Sequence, residues 1–205
     1  MFNEKELKKA ISHLSKDKKL KKIIENIDPP YWHDKPATLL ESIVESIISQ
    51  QLSVKAADTI YNRFLYLFGG TFPTATEIIS VDDELIRSTG ISRPKAEYIK
   101  GLAEMVHSKK IILDELHTYP DEKVIEELIT IKGIGQWTAE MLLIFELRRP
   151  DIFSYGDLGL RNAISKIYNI NRDDLISMEK IVTKWSPYRT LASRYLWKSL
   201  DNTPK

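Results

Sequence analysis

Residues 128–142 of the chain read LITIKGIGQWTAEML, and this stretch carries the most informative local pattern in the sequence. Apolar residues at helical spacing on both sides of a Lys-Gly-Ile-Gly segment predict two helices joined by a tight turn. The glycines allow unusual backbone dihedral angles and remove side chains that would block close approach. The second helix would offer unpaired N–H groups and the positive end of its dipole. The stretch therefore predicts a helical hairpin suited to holding an anion such as a DNA phosphate.

The rest of the chain also shows apolar residues at helical spacing, and the alternating pattern typical of strands is missing. The sequence therefore predicts an all-α fold. A looser region is expected to start at Pro73, ahead of the next predicted helix. The predicted helices lie at about 7–27 (two short helices), 38–50, 53–68, 81–88, 93–107, 121–131, 136–147, 158–168, 174–184 and 187–200.

The chain contains one internal similarity. Residues 85–97 read LIRSTGISRPKAE and residues 128–140 read LITIKGIGQWTAE, with identity at six of thirteen positions. Both segments predict a helix, a glycine-bearing turn and a second helix. A repeat and the general need of tight helical turns for glycine explain this similarity equally well. In either case the sequence predicts two helical hairpins built alike.

Composition narrows the possible classes of protein. The chain has 205 residues, 42% of them hydrophobic, which suits one large domain or two small lobes. The absence of cysteine excludes disulfides, thiolate zinc sites and cysteine-bound iron–sulfur clusters. A net charge of +1 predicts local rather than extended contact with a nucleic acid. Residues 1–22 hold eight lysines and three acids, which is typical of a solvated helix face.

The sequence also bears on location. The N-terminal stretch MFNEKELKKA is charged, unlike a secretory signal, and no apolar run approaches the roughly 18 residues of a membrane span. We therefore expect an intracellular protein, in the cytoplasm and nucleoid or in the nucleus, without a membrane partner.

The longer pattern Ile-Lys-Gly-Ile-Gly-x-Trp-Thr-Ala-x-x-Leu over residues 131–142 resembles the helix-hairpin-helix (HhH-GPD) DNA glycosylase superfamily. The Trp-Thr-Ala continuation looks like the 3-methyladenine DNA glycosylase II (AlkA-like) branch, in its compact all-helical form. The resemblance covers about residues 20–200. It implies a two-lobed helical fold with the active site in the cleft between lobes. Lobe A would comprise about residues 1–36 and 165–205, and lobe B about residues 37–164.

Residues 151–161 read DIFSYGDLGLR, and Asp157 directly precedes a predicted helix. On its own this position predicts an N-cap aspartate. The resemblance implies that Asp157, 22 residues past Gly135, is also the catalytic carboxylate. The two interpretations agree, because a helix N-terminus stabilises negative charge. A carboxylate near C1′ of the deoxyribose would stabilise the oxocarbenium character that develops when the N-glycosidic bond breaks.

The same resemblance implies further site residues in the hairpin. Lyase members of the superfamily carry a lysine where this chain has Trp137, so it implies a monofunctional enzyme that uses water. The backbone carbonyls of Ile129, Ile131 and Ile134 would hold a structural Na⁺ or K⁺, while catalysis would need no cofactor. Independently of the resemblance, Ile134 between the two glycines is expected to anchor the turn in the core. The residues expected to bind a DNA phosphate are Lys132, Gly133, Ile134, Gly135 and Thr138.

An enzyme that acts on a base inside a duplex must extrude that base and fill the gap in the stack. By resemblance, the turn Ser-Gln-Gln-Leu-Ser at 49–53 would supply the wedge, with Gln51 and Leu52 as candidates. The alternative is a core leucine beside two interhelical glutamines. Trp137 would stack on the base, or else pack behind the hairpin, while Tyr195 and Trp197 are expected in the core. The further base-pocket candidates are Tyr31, Trp32 and Trp185, the last in a Trp-Ser-Pro-Tyr-Arg-Thr segment that resembles the family's C-terminal pattern.

The sequence thus predicts a monomeric, monofunctional DNA glycosylase. Its substrate would be duplex DNA carrying alkylated purines of the 3-methyladenine and 7-methylguanine type. Two alternatives stay open: a glycosylase for oxidised or mismatched bases, because one fold hosts several such reactions, and a non-catalytic helix-hairpin-helix DNA-binding module. The second alternative leaves Asp157, the turn at 49–53 and the C-terminal tryptophan segment unexplained.

Overall fold

The computed structural model describes residues 4–30 and 38–201. Within these ranges the regular elements are all helical, which confirms the predicted fold class. Two short 3₁₀ helices lie at Leu113–Thr118 and Thr183–Trp185. None of the helices in these ranges is long and apolar enough to span a membrane. The α-helices are α1 (Glu4–Leu14), α2 (Lys18–Asn26), α3 (Leu39–Ser49), α4 (Val54–Leu67), α5 (Ala75–Ser80), α6 (Asp83–Ser88), α7 (Arg93–His107), α8 (Asp121–Ile129), α9 (Gln136–Phe145), α10 (Leu158–Tyr168), α11 (Leu175–Val182) and α12 (Arg189–Asp201).

Side-chain caps set several helix starts. Thr38 Oγ1 accepts the Glu41 N–H at 3.2 Å at the start of α3, and Ser53 caps α4 as expected. The prediction of a loose region after Pro73 is wrong, because this region contains α5. A capping box between Thr74 and Glu77 starts this helix, which is too short for periodicity to reveal it.

The chain divides into two compact units. The first, here called the hairpin unit, comprises Lys35–Leu142. It contains the hairpin α6–α7 and, in the second hairpin, α8 and the part of α9 up to Leu142; the turns of the two hairpins share a geometry. Gly90 and Gly133 occupy equivalent positions with φ of +104° and +93°. Ile91 and Ile134, which follow these glycines, are both buried, so the predicted anchoring by Ile134 is confirmed.

The second unit, here called the terminal unit, comprises Met1–Asp34 and Leu143–Lys205. The expected boundary near residue 164 differs from this division. Phe153 and Leu160 pack in one core with Leu14 and Leu20 of the N-terminal helices, and this packing assigns residues 143–164 to the terminal unit. Sequence periodicity shows that α10 has an apolar face but does not show which unit covers it.

Candidate functional site

The hairpin turn between α8 and α9 is built by its own backbone. The Ile134 N–H donates to the Ile131 carbonyl at 3.0 Å and closes the turn. The Gly135 carbonyl accepts the first helical hydrogen bond of α9 from Ala139 at 3.0 Å. Gly135 therefore stands at the N-cap of α9, at the positive end of the helix dipole. This arrangement is suited to an anion.

The two glycines of the turn are needed for different reasons. Gly133 has a positive φ, and a Cβ built there would lie 2.9 Å from Cγ of Tyr98 and even closer to the neighbouring ring carbon. Gly135 has no positive φ, and a Cβ there would meet no protein atom within 4 Å. Gly133 thus shapes the turn, whereas Gly135 leaves its outer surface open to approach.

The remaining predicted hairpin residues divide between surface and interior. Lys132 is exposed, with Nζ 5.6 Å from the ring centroid of Tyr98. Thr138 is only 7% exposed, so its side chain belongs mainly to the packed interior. Ile131 is buried and Ile129 is partly exposed. Any phosphate contact from this hairpin would therefore come from the turn backbone and Lys132.

The turn at 49–53 lies in the same unit and contacts the hairpin directly. Gln50 Nε2 donates to the Gly133 carbonyl at 2.9 Å. Gln51 is exposed and adopts a φ of +60°. Leu52 is 40% exposed, so it is not a core residue. The structure thus brings both wedge candidates to the surface beside the hairpin, although the wedge function stays a prediction.

The aromatic candidates differ widely in exposure. Trp137, in the first turn of α9, is 48% exposed rather than packed in the core. Trp185 is 1% exposed and lies in the core of the terminal unit, where Nε1 donates to Oδ2 of Asp17 at 3.2 Å. A base cannot stack on a fully buried ring, so its predicted pocket function is wrong. Tyr31 and Trp32 lie outside the described residues.

Asp157 is the N-cap of α10 and is 9% exposed. Its Oδ1 accepts two hydrogen bonds, from the Leu160 N–H at 2.8 Å and from Nε1 of Trp197 at 2.9 Å. The predicted capping role is therefore confirmed. Gly159 permits this close arrangement, because a Cβ there would lie 3.1 Å from Oδ1 of Asp157 and 3.3 Å from the indole of Trp197. A carboxylate held by two donors is oriented before any substrate arrives.

Trp197, expected in the core, packs against the core of the terminal unit but also donates to Asp157, a contact that the sequence does not reveal. Its indole stacks on Phe145, with ring centroids 5.6 Å apart and an interplanar angle of 27°. The guanidinium of Arg194 lies 5.9 Å from the centroid of Phe145. Burial and the positive charge of Arg148 lower the pKa of Arg194 to about 10, so it stays charged at neutral pH. No local sequence signal links Trp197 to Asp157, because 40 residues separate them.

The loop that leads to Asp157 is fastened to α12. Arg189 donates two side-chain hydrogen bonds to Asp151, at 2.8 and 3.0 Å, and Ser186 donates a third at 2.7 Å. Burial opposes ionisation of Asp151, but these donors outweigh it and lower its pKa below the ordinary value. Thr190 Oγ1 accepts the Ile152 N–H at 3.0 Å. Three residues of the Trp-Ser-Pro-Tyr-Arg-Thr segment, Ser186, Arg189 and Thr190, therefore support the loop.

One protein-family model matches a range of the chain that includes both the hairpin and Asp157. The model of the HhH-GPD superfamily of base excision DNA repair proteins matches residues 44–187. The chain therefore belongs to this superfamily, and its enzymatic class is that of the DNA glycosylases. The matched range includes the turn at 49–53, both hairpins and Asp157, and the predicted family is confirmed.

Particular relatives carry more specific names. The chain is similar to DNA-3-methyladenine glycosylase 1 of Schizosaccharomyces pombe, with 38% identity over 203 residues that cover 94% of this chain and 87% of the relative. It is also similar to the crystal structure of a DNA-3-methyladenine glycosidase from Bacillus halodurans, with a TM-score of 0.81, 38% identity and coverage of 93% and 88%. The structure of a Schizosaccharomyces pombe 3-methyladenine DNA glycosylase in complex with abasic DNA has a TM-score of 0.80, 33% identity and coverage of 96% and 100%.

Proposed function

We propose that this enzyme is a monofunctional glycosylase that hydrolyses the N-glycosidic bond of alkylated purines in duplex DNA. The observation that carries the proposal is the preorganised carboxylate of Asp157, whose Oδ1 accepts hydrogen bonds from Leu160 and Trp197. Relatives named DNA-3-methyladenine glycosylase support a base of the 3-methyladenine type. We include 7-methylguanine because alkylation at N7 gives the purine the same positive charge. Base excision would then leave an abasic site for the later steps of repair.

The reaction uses the positive charge of the damaged base. Alkylation at N3 or N7 makes the purine cationic, so the C1′–N bond breaks with its electron pair passing to a base that leaves neutral. Positive charge then develops on the deoxyribose, and the Asp157 carboxylate stabilises it. Stabilisation by a charge that is already in place is commonly the largest catalytic contribution. Water adds to C1′ and loses a proton, which completes the hydrolysis.

The hairpin unit supplies DNA binding in this proposal. The open face of Gly135 and the first N–H groups of α9 receive a DNA phosphate, with Lys132 adding charge. Gln51 and Leu52 enter the gap that the extruded base leaves. The half-exposed Trp137 stacks on the cationic base, which gains cation–π attraction from an aromatic face. Because Trp137 stands where lyase members have lysine, no covalent intermediate with the DNA is expected.

The donor set of the turn suits a structural Na⁺ or K⁺, because backbone carbonyls are hard oxygen ligands. The Ile131 carbonyl accepts the Ile134 N–H with one lone pair and keeps a second lone pair for a cation, and Ile129 and Ile134 bring further carbonyls. Such an ion would hold the turn and take no part in the chemistry. A melting temperature that is higher in KCl or NaCl than in choline chloride of equal ionic strength would support this ion. Equal temperatures would count against it.

The test is base release from methylated duplex DNA, with the freed bases identified by chromatography. Asp157→Asn removes the negative charge but keeps a residue that caps helices well. We expect release of 3-methyladenine or 7-methylguanine by the wild type, and a loss of about 100-fold or more in the variant. Asp174→Asn is the matched control, since Asp174 caps α11 of the same unit through the Ser177 N–H at 3.0 Å. It should leave the rate unchanged.

Three other outcomes would each change the conclusion. Release that survives in Asp157→Asn would refute the carboxylate assignment. Equal losses in Asp157→Asn and Asp174→Asn would mean that the loss reflects a general disturbance of the terminal unit and not the charge at Asp157. No release by a wild type that binds DNA would refute the alkylpurine substrate, and oxidised or mismatched bases would be tested next.

A further inference from the structure

The turn that carries the wedge candidates is held by a lysine from another helix. Nζ of Lys95, in the first turns of α7, donates to the carbonyls of Ile48 at 2.8 Å and of Gln50 at 2.6 Å. These carbonyls belong to the C-terminal end of α3, where the last carbonyl groups have no partner inside the helix. A positive charge is also favourable at a helix C-terminus. Lys95 therefore closes the end of α3 immediately before Gln51.

The backbone at this turn needs such support. Gln51 adopts a φ of +60°, which non-glycine residues rarely occupy and which surrounding contacts must maintain. Lys95 is partly buried, and this burial lowers the pKa of its ammonium group. A compact ammonium with three donors can serve two carbonyls of one turn at once. Its contacts thus restrict the direction in which Gln51 and Leu52 project.

The same turn is joined to the phosphate-binding hairpin. Gln50 accepts from Lys95 through its carbonyl and donates from Nε2 to the Gly133 carbonyl at 2.9 Å. A continuous hydrogen-bonded chain therefore runs Lys95–Gln50–Gly133, and all three residues lie in the hairpin unit. The chain connects the start of α7 in the first hairpin to the turn of the second.

We propose that Lys95 is a positioning residue for the wedge. It acts through Gln50 to hold the turn Gln51–Leu52 in register with the hairpin that receives the DNA phosphate. This inference rests on the proposed function and deepens it. The two similar hairpins then have different tasks. In the alignment of residues 85–97 with 128–140, Lys95 corresponds to Thr138 of the second hairpin. The start of α7 thus binds protein carbonyls, whereas the start of α9 would bind DNA.

The test measures unstacking of DNA separately from folding. The probe is a duplex with a tetrahydrofuran abasic analogue and 2-aminopurine as its neighbouring base, whose fluorescence rises when the wedge disturbs the stack. Lys95→Met should reduce the fluorescence change at saturating protein and lower kcat on methylated duplex about tenfold or more, because two hydrogen bonds from a charged group are lost. Affinity for the duplex should change by less than about threefold, since phosphate contacts dominate it.

Two further variants complete the design. Gln50→Leu removes the side-chain hydrogen bond to the Gly133 carbonyl but keeps the backbone carbonyl that Lys95 binds. If Lys95→Met does not fold, the same measurements are made on Gln50→Leu. Lys100→Met is the matched control. Lys100 is a partly buried lysine of the same helix, paired with Asp83 at 2.5 Å. It should show wild-type fluorescence and kcat.

Wild-type fluorescence and kcat in Lys95→Met and in Gln50→Leu would overturn the inference, and so would an equal loss in Lys100→Met. A wild type that releases bases without any 2-aminopurine change would also overturn it, while leaving the proposed reaction intact. Conversely, unstacking by a wild type that releases no alkylated base would refute the proposed substrate and not the positioning function.

Discussion

Replacing each hairpin glycine by alanine separates the shape of the turn from its access to DNA. At Gly133 the new alanine must keep a φ of +93°, and its Cβ would lie 2.9 Å from Cγ of Tyr98. A left-handed backbone costs about 1–2 kcal/mol without glycine, and overpacking adds about 1–3 kcal/mol. Gly133→Ala should therefore lower the free energy of unfolding by about 2–5 kcal/mol. For a chain of this size, that corresponds to a melting temperature lower by about 4–20 °C.

Gly135→Ala should have the opposite profile. Its Cβ meets no protein atom within 4 Å, so the free energy of unfolding should change by less than about 1 kcal/mol. The new methyl group occupies the space through which a phosphate would approach. Losing one hydrogen bond from the turn to a charged phosphate should weaken binding to a duplex with an abasic analogue about tenfold or more.

The assay combines thermal unfolding with fluorescence anisotropy on that labelled duplex, run on both variants and the wild type. Wild-type affinity in a normally folded Gly135→Ala would refute phosphate approach at this turn. A Gly133→Ala variant as stable as the wild type would show that the positive φ and the Tyr98 contact do not constrain the hairpin.

Three further outcomes are expected. Trp197→Phe keeps a ring that can stack on Phe145 but loses the N–H that donates to Asp157. The value of kcat/KM on methylated duplex should therefore fall about tenfold or more. An unchanged kcat/KM would show that Trp197 is not part of the site. In folded protein, burial raises the pKa of Asp17, but hydrogen bonds led by Tyr168 outweigh it and lower the pKa below 3.8. Its ionised form therefore stabilises the fold above pH 3.8. The difference in unfolding free energy between the wild type and Asp17→Asn should shrink as the pH falls through the lowered pKa. A difference that stays constant in acid titrations would contradict this. Finally, a net charge of +1 predicts a shallow salt dependence of DNA binding, and a slope that matches about six or more neutralised phosphates would disagree.

Features that depend on neighbouring residues could be predicted from the sequence. The helix starts at Thr38, Ser53 and Asp157 follow from side chains that accept N–H groups three residues ahead. The turn around Gly133 follows from a glycine between two apolar helical patterns. Helix α5 escaped prediction because six residues are too few to show a period. Local sequence patterns thus predict most of the helices and the turn of the hairpin.

The tryptophans show where local rules stop. Trp185 and Trp197 lie near each other in the sequence, and resemblance favoured the first as a pocket residue. The structure buries Trp185 against Asp17 and gives Trp197 the hydrogen bond to Asp157. The difference depends on which helix faces pack together, and this packing is settled by contacts between residues far apart in the chain.

The sequence by itself determined the all-α class, the glycine-shaped hairpin and the capping position of Asp157, because these depend on spacings of a few residues. Only the tertiary structure decided the partner of Asp157 and the attachment of residues 143–164 to the N-terminal helices. It also decided the link from Lys95 through Gln50 to Gly133. The physical reason is the same in each case: a hydrogen bond or core contact across 40 or more residues forms only after the helices have packed.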